Sequence, residues 1–135
     1  MKIRDILETC IYASNLKTAE SFYRSLPGIH FVSREENRHV FFRCGNSMLL
    51  IFNPSQTSKE DNNKSKNPIP RHGSTGPGHI AFSIKSDELS KWKTFLREHK
   101  IEIESEVTWP NGTVSIYFRD PAGNSLELVS PDLWD

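Results

Sequence analysis

Two stretches of this chain repeat one another, and that repetition limits the fold more than any other feature of the sequence. FFRCGNSMLLIF (residues 41–52) and YFRDPAGNSLELV (residues 117–129) each carry an aromatic pair, an arginine and a Gly-Asn-Ser turn ahead of a final apolar run. The segments leading up to them recur in the same order. In the first half a strand over residues 6–13 (ILETCIYA) precedes a helix capped by Asn15, with Leu16, Ala19, Phe22, Tyr23 and Leu26 at helical spacing. Pro27-Gly28 ends that helix, and IHFVSRE, HVFFRC and SMLLIFN then read as an antiparallel meander. In the second half HIAFSI precedes a helix capped near Ser86 or Asp87, with Leu89, Trp92 and Leu96 on one face. IEIESEV, VSIYFR and SLELVS follow as strands. Agreement across five elements predicts a duplicated β-α-β-β-β module. A half-sheet of this kind has an inner face that must be covered.

With 135 residues there is room for one domain, residues 1–135, divided into module one (5–54), a flexible linker (55–76) and module two (77–131). The linker reading rests on composition, because residues 54–76 are rich in Asn, Lys, Ser and Pro and have almost no apolar side chains to bury. His72 within it is either an exposed loop residue or part of a lid. Seventeen basic side chains balance seventeen acidic ones, so no net field draws the protein to nucleic acid or to an anionic membrane. A small-molecule substrate is the expected partner. No apolar run is long enough to span a bilayer, and the charged start MKIRDILETC is unlike a signal peptide, so a cytoplasmic location is expected. Cys10 and Cys44 have no CxxC spacing and read as reduced thiols.

SLELVS poses a chemical problem. Alternation places Glu127 between Leu126 and Leu128 in an apolar strand, and burying a carboxylate without a partner costs several kcal/mol, roughly. Glu127 shares a face with Ser125 and Val129, His79 with Ala81 and Ser83, and Glu8 with Cys10 and Tyr12. Taken singly, each has an ordinary alternative: an Arg-paired glutamate, a hydrogen-bonded strand histidine, an edge-strand glutamate.

The two modules, the GPGHIAF strand opening and YFRDPAGNSLELV resemble the vicinal oxygen chelate superfamily, which includes glyoxalase I, extradiol dioxygenases, fosfomycin-resistance transferases and bleomycin-binding proteins. The resemblance implies an α+β fold in which the two βαβββ modules form a cupped, incomplete β-barrel. It also implies a metal site on Glu8, His79 and Glu127, holding one divalent ion of the Zn, Ni, Mn or Fe(II) kind. Such an ion would offset the desolvation of both carboxylates. Glyoxalase-type sites carry a further carboxylate on the last strand of module one, where the Gly-Asn-Ser alignment puts Leu49. An alkyl group moves no proton, which counts against strict lactoylglutathione lyase chemistry.

Glu127, Glu8 and Tyr117 are the expected catalytic groups, Tyr117 matching a superfamily tyrosine that faces substrate. The expected substrate-binding set is Cys10, Tyr12, His39, Phe41, Arg43, Ser115, Arg119 and Trp109. Three functions compete. The first is a metal-dependent lyase, isomerase or transferase in which the ion is a Lewis acid for a small oxygenated substrate, with an Fe(II) extradiol dioxygenase as a variant of it. The second is a bleomycin-resistance-like binding protein without catalysis, and the third a structural dimer with a vestigial cup. A homodimer is expected in each case, since one cupped sheet exposes a face that needs covering.

Overall fold

The alternating apolar runs form two separate four-stranded sheets, each crossed by one main helix. The computed structural model describes residues 1–59 and 66–135; the remaining part of the expected linker, residues 60–65, lies outside the described residues. The chain divides into two compact units, Met1–Gly76 and Pro77–Asp135. The class is α+β, with one βαβββ module in each unit.

In the first unit β1 (Glu8–Tyr12), α1 (Leu16–Ser25), β2 (Ile29–Glu35), β3 (His39–Cys44) and β4 (Ser47–Phe52) follow in chain order. The sheet order is β1-β4-β3-β2, with β1 parallel to β4 and the other pairs antiparallel. The sheet is open, and β1 and β2 are its edges. Asn15 caps α1 as its sequence position requires, its Oδ1 accepting from the Thr18 amide at 3.1 Å. Ala19 and Tyr23 of α1 are buried together with Ile11, Val40, Phe42, Leu49 and Ile51 of the strands. Alternation leaves Glu8, Cys10, Tyr12, His39, Phe41, Leu50 and Phe52 to line a cavity on the other side. After β4 the polar segment is partly structured. Asn53 caps the single-turn helix α2 (Pro54–Thr57), and Thr57 is buried.

In the second unit β5 (His79–Ser83), a 3-10 turn (Ser86–Glu88), α3 (Leu89–Glu98), β6 (Ser105–Thr108), β7 (Val114–Arg119) and β8 (Ser125–Val129) repeat the pattern, again as an open sheet, in the order β5-β8-β7-β6. Leu96, Ile116, Phe118 and Leu126 are fully buried. Trp92, on the apolar face with Leu89 and Leu96, is only half-buried and lies edge-on to Phe95. The strand expected over IEIESEV starts four residues late, because Lys100 takes a positive φ of 56° and Ile101 still bonds back to Leu96 of the helix. Among the described residues no helix is long and apolar enough to cross a membrane.

Candidate metal centre and first-unit cavity

The Asp-Pro-Ala-Gly-Asn turn positions the second unit's polar groups. Asp120 and Asn124 are buried, and the Asp120 carboxylate is satisfied locally. Its Oδ1 accepts from the amides of Ala122 and Asn124, and its Oδ2 from the Asn124 side chain, all at 2.9 Å. Gly123 has φ +86°, a backbone conformation that L side chains rarely adopt, and this lets the chain turn back so tightly. The Asn124 side-chain oxygen then accepts from the Gly78 amide at 2.7 Å, while Ser125 N donates to Gly78 O at 2.9 Å. The turn therefore locks the start of β8 against the start of β5. That parallel register sets His79 opposite Ser125 and Ala81 opposite Glu127.

His79 Nδ1 lies 3.0 Å from Ser125 O. A carbonyl only accepts, so Nδ1 carries the proton and Nε2 of the neutral ring carries a lone pair. Nε2 faces Glu127 Oε2 at 3.3 Å. Two acceptors at that separation need a proton or a cation between them. A proton on Nε2 would satisfy Oε2 alone, and Glu127 Oε1 is also buried with no hydrogen-bond partner among the described residues. A cation held by Nε2 and the carboxylate would serve all three atoms, so this pair fits a divalent ion. Tyr117 lies across the strand pair from Glu127. Burial raises its phenol pKa first, the hydrogen bond and negative charge of Glu127 raise it further, and Ser115 acts in the opposite direction. Within neither unit, among the described residues, do three His, Cys, Asp or Glu side chains gather around one point.

The other expected residues divide by unit. Ser115 is fully buried and accepts from Trp109 Nε1 at 2.8 Å, so each occupies the other's polar group. Arg119 makes a two-point ion pair with Glu104, at 2.7 and 3.2 Å, and also donates to Gly123 O. In the first unit Glu8, Cys10, Tyr12, His39 and Phe41 line one cavity of about 990 Å³. Arg43 is exposed beyond the cavity's lining residues.

The cavity also holds residues that alternation did not single out: Arg38, Leu50, Phe52, Arg71 and His72. His72 is half-buried, with Nδ1 2.7 Å from Tyr12 Oη and its ring 4.6 Å from that of Phe52. Arg38 follows Asn37, whose φ is 61°, so it leaves a turn rather than continuing the strand's alternation. Leu50 corrects the alignment of the modules. Pairing of Tyr117 with Glu127 in the second unit matches that of Phe41 with Leu50 in the first, so Leu50, not Leu49, is the counterpart of Glu127. The Gly-Asn-Ser match misleads by one residue because Gly45-Asn46 is a tight two-residue turn, whereas five residues connect Arg119 to Ser125. A slip of one residue exchanges the two faces of a strand.

Comparison with known proteins bears on these features. The family model described as Glyoxalase/Bleomycin resistance protein/Dioxygenase superfamily matches residues 5–128. Metallothiol transferase FosB of Staphylococcus epidermidis is 30% identical over 138 residues, covering 100% of this chain and 87% of the relative. The protein of the same name from Staphylococcus haemolyticus is 28% identical, covering 98% and 88%. Among solved structures, a lactoylglutathione lyase from Agrobacterium tumefaciens superposes with a TM-score of 0.92 at 43% identity, covering 99% of this chain and 98% of that one. The fosfomycin resistance protein FosX from Listeria monocytogenes shares the fold, with a TM-score of 0.68 at 18% identity and coverage of 96% and 92%.

Proposed function

Because this chain belongs to the glyoxalase/bleomycin resistance protein/dioxygenase superfamily, we propose that it is a divalent-metal-dependent enzyme acting on a small oxygenated substrate, with Glu8, His79 and Glu127 as the protein ligands. The observation that carries this reading is the 3.3 Å contact between His79 Nε2 and Glu127 Oε2, next to a buried Oε1 that has no hydrogen-bond partner among the described residues. One imidazole and two carboxylates suit Zn, Ni, Mn or Fe(II). When bound, such an ion supplies a Lewis acid for a substrate oxygen.

The chain's own groups have distinct roles in this proposal. Ser125 O holds the His79 tautomer that presents Nε2. Glu127 and Glu8 are the carboxylates able to accept a proton. Tyr117, its phenol pKa raised, keeps its proton at neutral pH and donates a hydrogen bond to substrate. Leu50 stands where Glu127 stands in the other module, so no carboxylate is available there to shuttle a proton between neighbouring carbons. This favours a transferase over a lyase, in keeping with the metallothiol transferase relatives.

The test is elemental analysis of untagged protein, as purified and after loading with Zn, Ni, Mn or Fe(II), beside His79→Ala, Glu127→Gln and Glu8→Gln. The expected result is about one ion per chain in the wild type and much weaker retention in each variant. Wild-type protein that takes up none of the four ions would overturn the reading in favour of a binding protein without catalysis.

A further inference from the structure

The cavity of the first unit has one polar position whose direction its neighbours fix. Cys10 Sγ donates to Tyr12 Oη at 3.8 Å, and Tyr12 Oη lies 2.7 Å from His72 Nδ1. Burial first, and then the hydrogen bond and charge of Cys10, push the Tyr12 pKa up to about 12, so the phenol keeps its proton at neutral pH. With its oxygen accepting from the thiol, Tyr12 donates that proton to Nδ1. A neutral imidazole carries one proton, and with Nδ1 accepting, that proton sits on Nε2. Ring contacts hold the imidazole in place: it meets Phe52 edge-on at 4.6 Å and lies tilted to Tyr12 at 5.8 Å. The backbone is anchored as well, because the His72 amide donates to Thr57 O of α2 at 3.2 Å. His72 lines the cavity, half-buried, and its Nε2 has no hydrogen-bond partner among the described residues.

The wall around this donor is made of rings. Tyr12, His39, Phe41 and Phe52 line the cavity together with His72. His39 and Phe41 stack with centroids 3.9 Å apart and 10° between planes, and Phe52 meets both edge-on, at 5.9 and 5.4 Å. Faces and edges at such angles receive a further flat ring by offset stacking or edge-to-face contact. The charged lining side chains are Glu8, Glu35, Arg38 and Arg71, two acids and two guanidiniums, so the lining has no net formal charge and singles out no ionic ligand. At about 990 Å³ the cavity has room for a bicyclic molecule. One kind of acceptor suits both features. The lone pairs of a conjugated carbonyl lie in the plane of its ring system, so such a molecule can lie flat on the wall and still meet an N–H at its edge.

We propose that this cavity takes a neutral, flat, conjugated carbonyl compound, its ring body against the aromatic wall and its carbonyl oxygen accepting from His72 Nε2. No bond is made or broken; the contacts define the class of molecule admitted and make His72 the residue that selects it. These contacts lie in the first unit and include none of the proposed metal ligands, so this inference and the metal reading can each fail without the other.

The probe is 1-indanone, a flat aromatic ketone, titrated into isotope-labelled full-length protein and followed by two-dimensional amide NMR. Saturable shifts are expected at Tyr12, Phe41, Phe52 and His72. Indole is a flat bicycle of similar size that donates but has no in-plane acceptor, and cyclohexanone has the carbonyl without the flat ring; each should bind at least about threefold more weakly. His72→Phe keeps a ring and removes the N–H, and should bring indanone down to the level of indole while leaving indole unchanged. A nitrogen-15 spectrum of the imidazoles at about pH 8.5, above the ordinary imidazole pKa of about 6.5, should show His72 with its proton on Nε2. The wild-type ligand series and the tautomer decide the matter even where the variant folds poorly. Equal binding of indanone and indole, a proton on Nδ1, shifts confined to other surfaces, or no saturation by about 10 mM would overturn the inference.

Discussion

Replacing Glu127 by glutamine should change the stability of the protein in opposite directions without and with metal. In metal-free protein the carboxylate is 5% exposed, has one oxygen without a hydrogen-bond partner among the described residues, and holds the other 3.3 Å from His79 Nε2. A glutamine amide keeps the shape and can turn its NH₂ toward Nε2, converting a contact between two acceptors into a hydrogen bond. Such a bond contributes about 0.5–1.5 kcal/mol net, and removing a poorly compensated buried charge adds to it. The expected balance is a variant more stable than wild type by about 1 kcal/mol in EDTA. With metal at a hundred times its dissociation constant the wild type gains about 2.7 kcal/mol and the variant gains none, so the order inverts. Urea unfolding followed by circular dichroism, in EDTA and in excess zinc, measures both differences. If the variant is the less stable protein in EDTA, or if both proteins gain equally from zinc, the lone-pair argument for a cation at this site is wrong.

Three further outcomes follow from the packing. Asn124→Ala removes the acceptor of the Gly78 amide and a donor to Asp120 in a buried turn, which should cost about 2–4 kcal/mol in urea unfolding and weaken metal binding through loss of the β5–β8 register; a cost near zero would mean the turn does not hold that register. Leu50→Glu should leave a folded protein by circular dichroism, because Leu50 lines the cavity, whereas Leu49→Glu, at 2% exposure on the helix-covered face, should not; similar behaviour of the two would refute the corrected module alignment. Tyr12 has its pKa pushed up to about 12, by burial first and then by the hydrogen bond and charge of Cys10. Its folded value therefore exceeds its unfolded value, the stability it contributes is complete below the unfolded pKa of about 10, and that contribution is lost as pH rises through about 12. The tyrosinate absorbance difference between wild type and Tyr12→Phe should rise only toward that upper value.

What the sequence reveals and what it conceals follow from the physics of each segment. The element order, the Asn15 cap and the division of β3 into Val40 and Phe42 on one face and His39 and Phe41 on the other are legible, because period-two alternation and capping are local rules. The pairing of His79 with Glu127 is legible only through the family resemblance, since a parallel register is created by a turn and by the opposite strand, not by either strand alone. Residues whose place is decided outside regular structure are hidden. Arg38 leaves a turn, and Arg71 belongs to a segment whose composition reads as linker.

The Leu49–Leu50 correction shows how the repeat can mislead at the most informative place. Both modules contain Gly-Asn-Ser, but Asn124 binds Asp120 and Gly78 inside a five-residue turn, while the first module turns in two residues and has Cys44 where Asp120 stands. The motif that matches in letters therefore differs in structure, and the strand beyond it is displaced by one position in pairing. In the second module the longer turn supplies the Gly78 amide with a partner and brings Glu127 to the same face as His79. In the first, the shorter turn puts an alkyl side chain, Leu50, at the matching place beside Phe41. That exchange leaves Glu127 beside His79 in one sheet and an alkyl side chain beside Phe41 in the other, so the two copies of one module present different chemistry at the same register position.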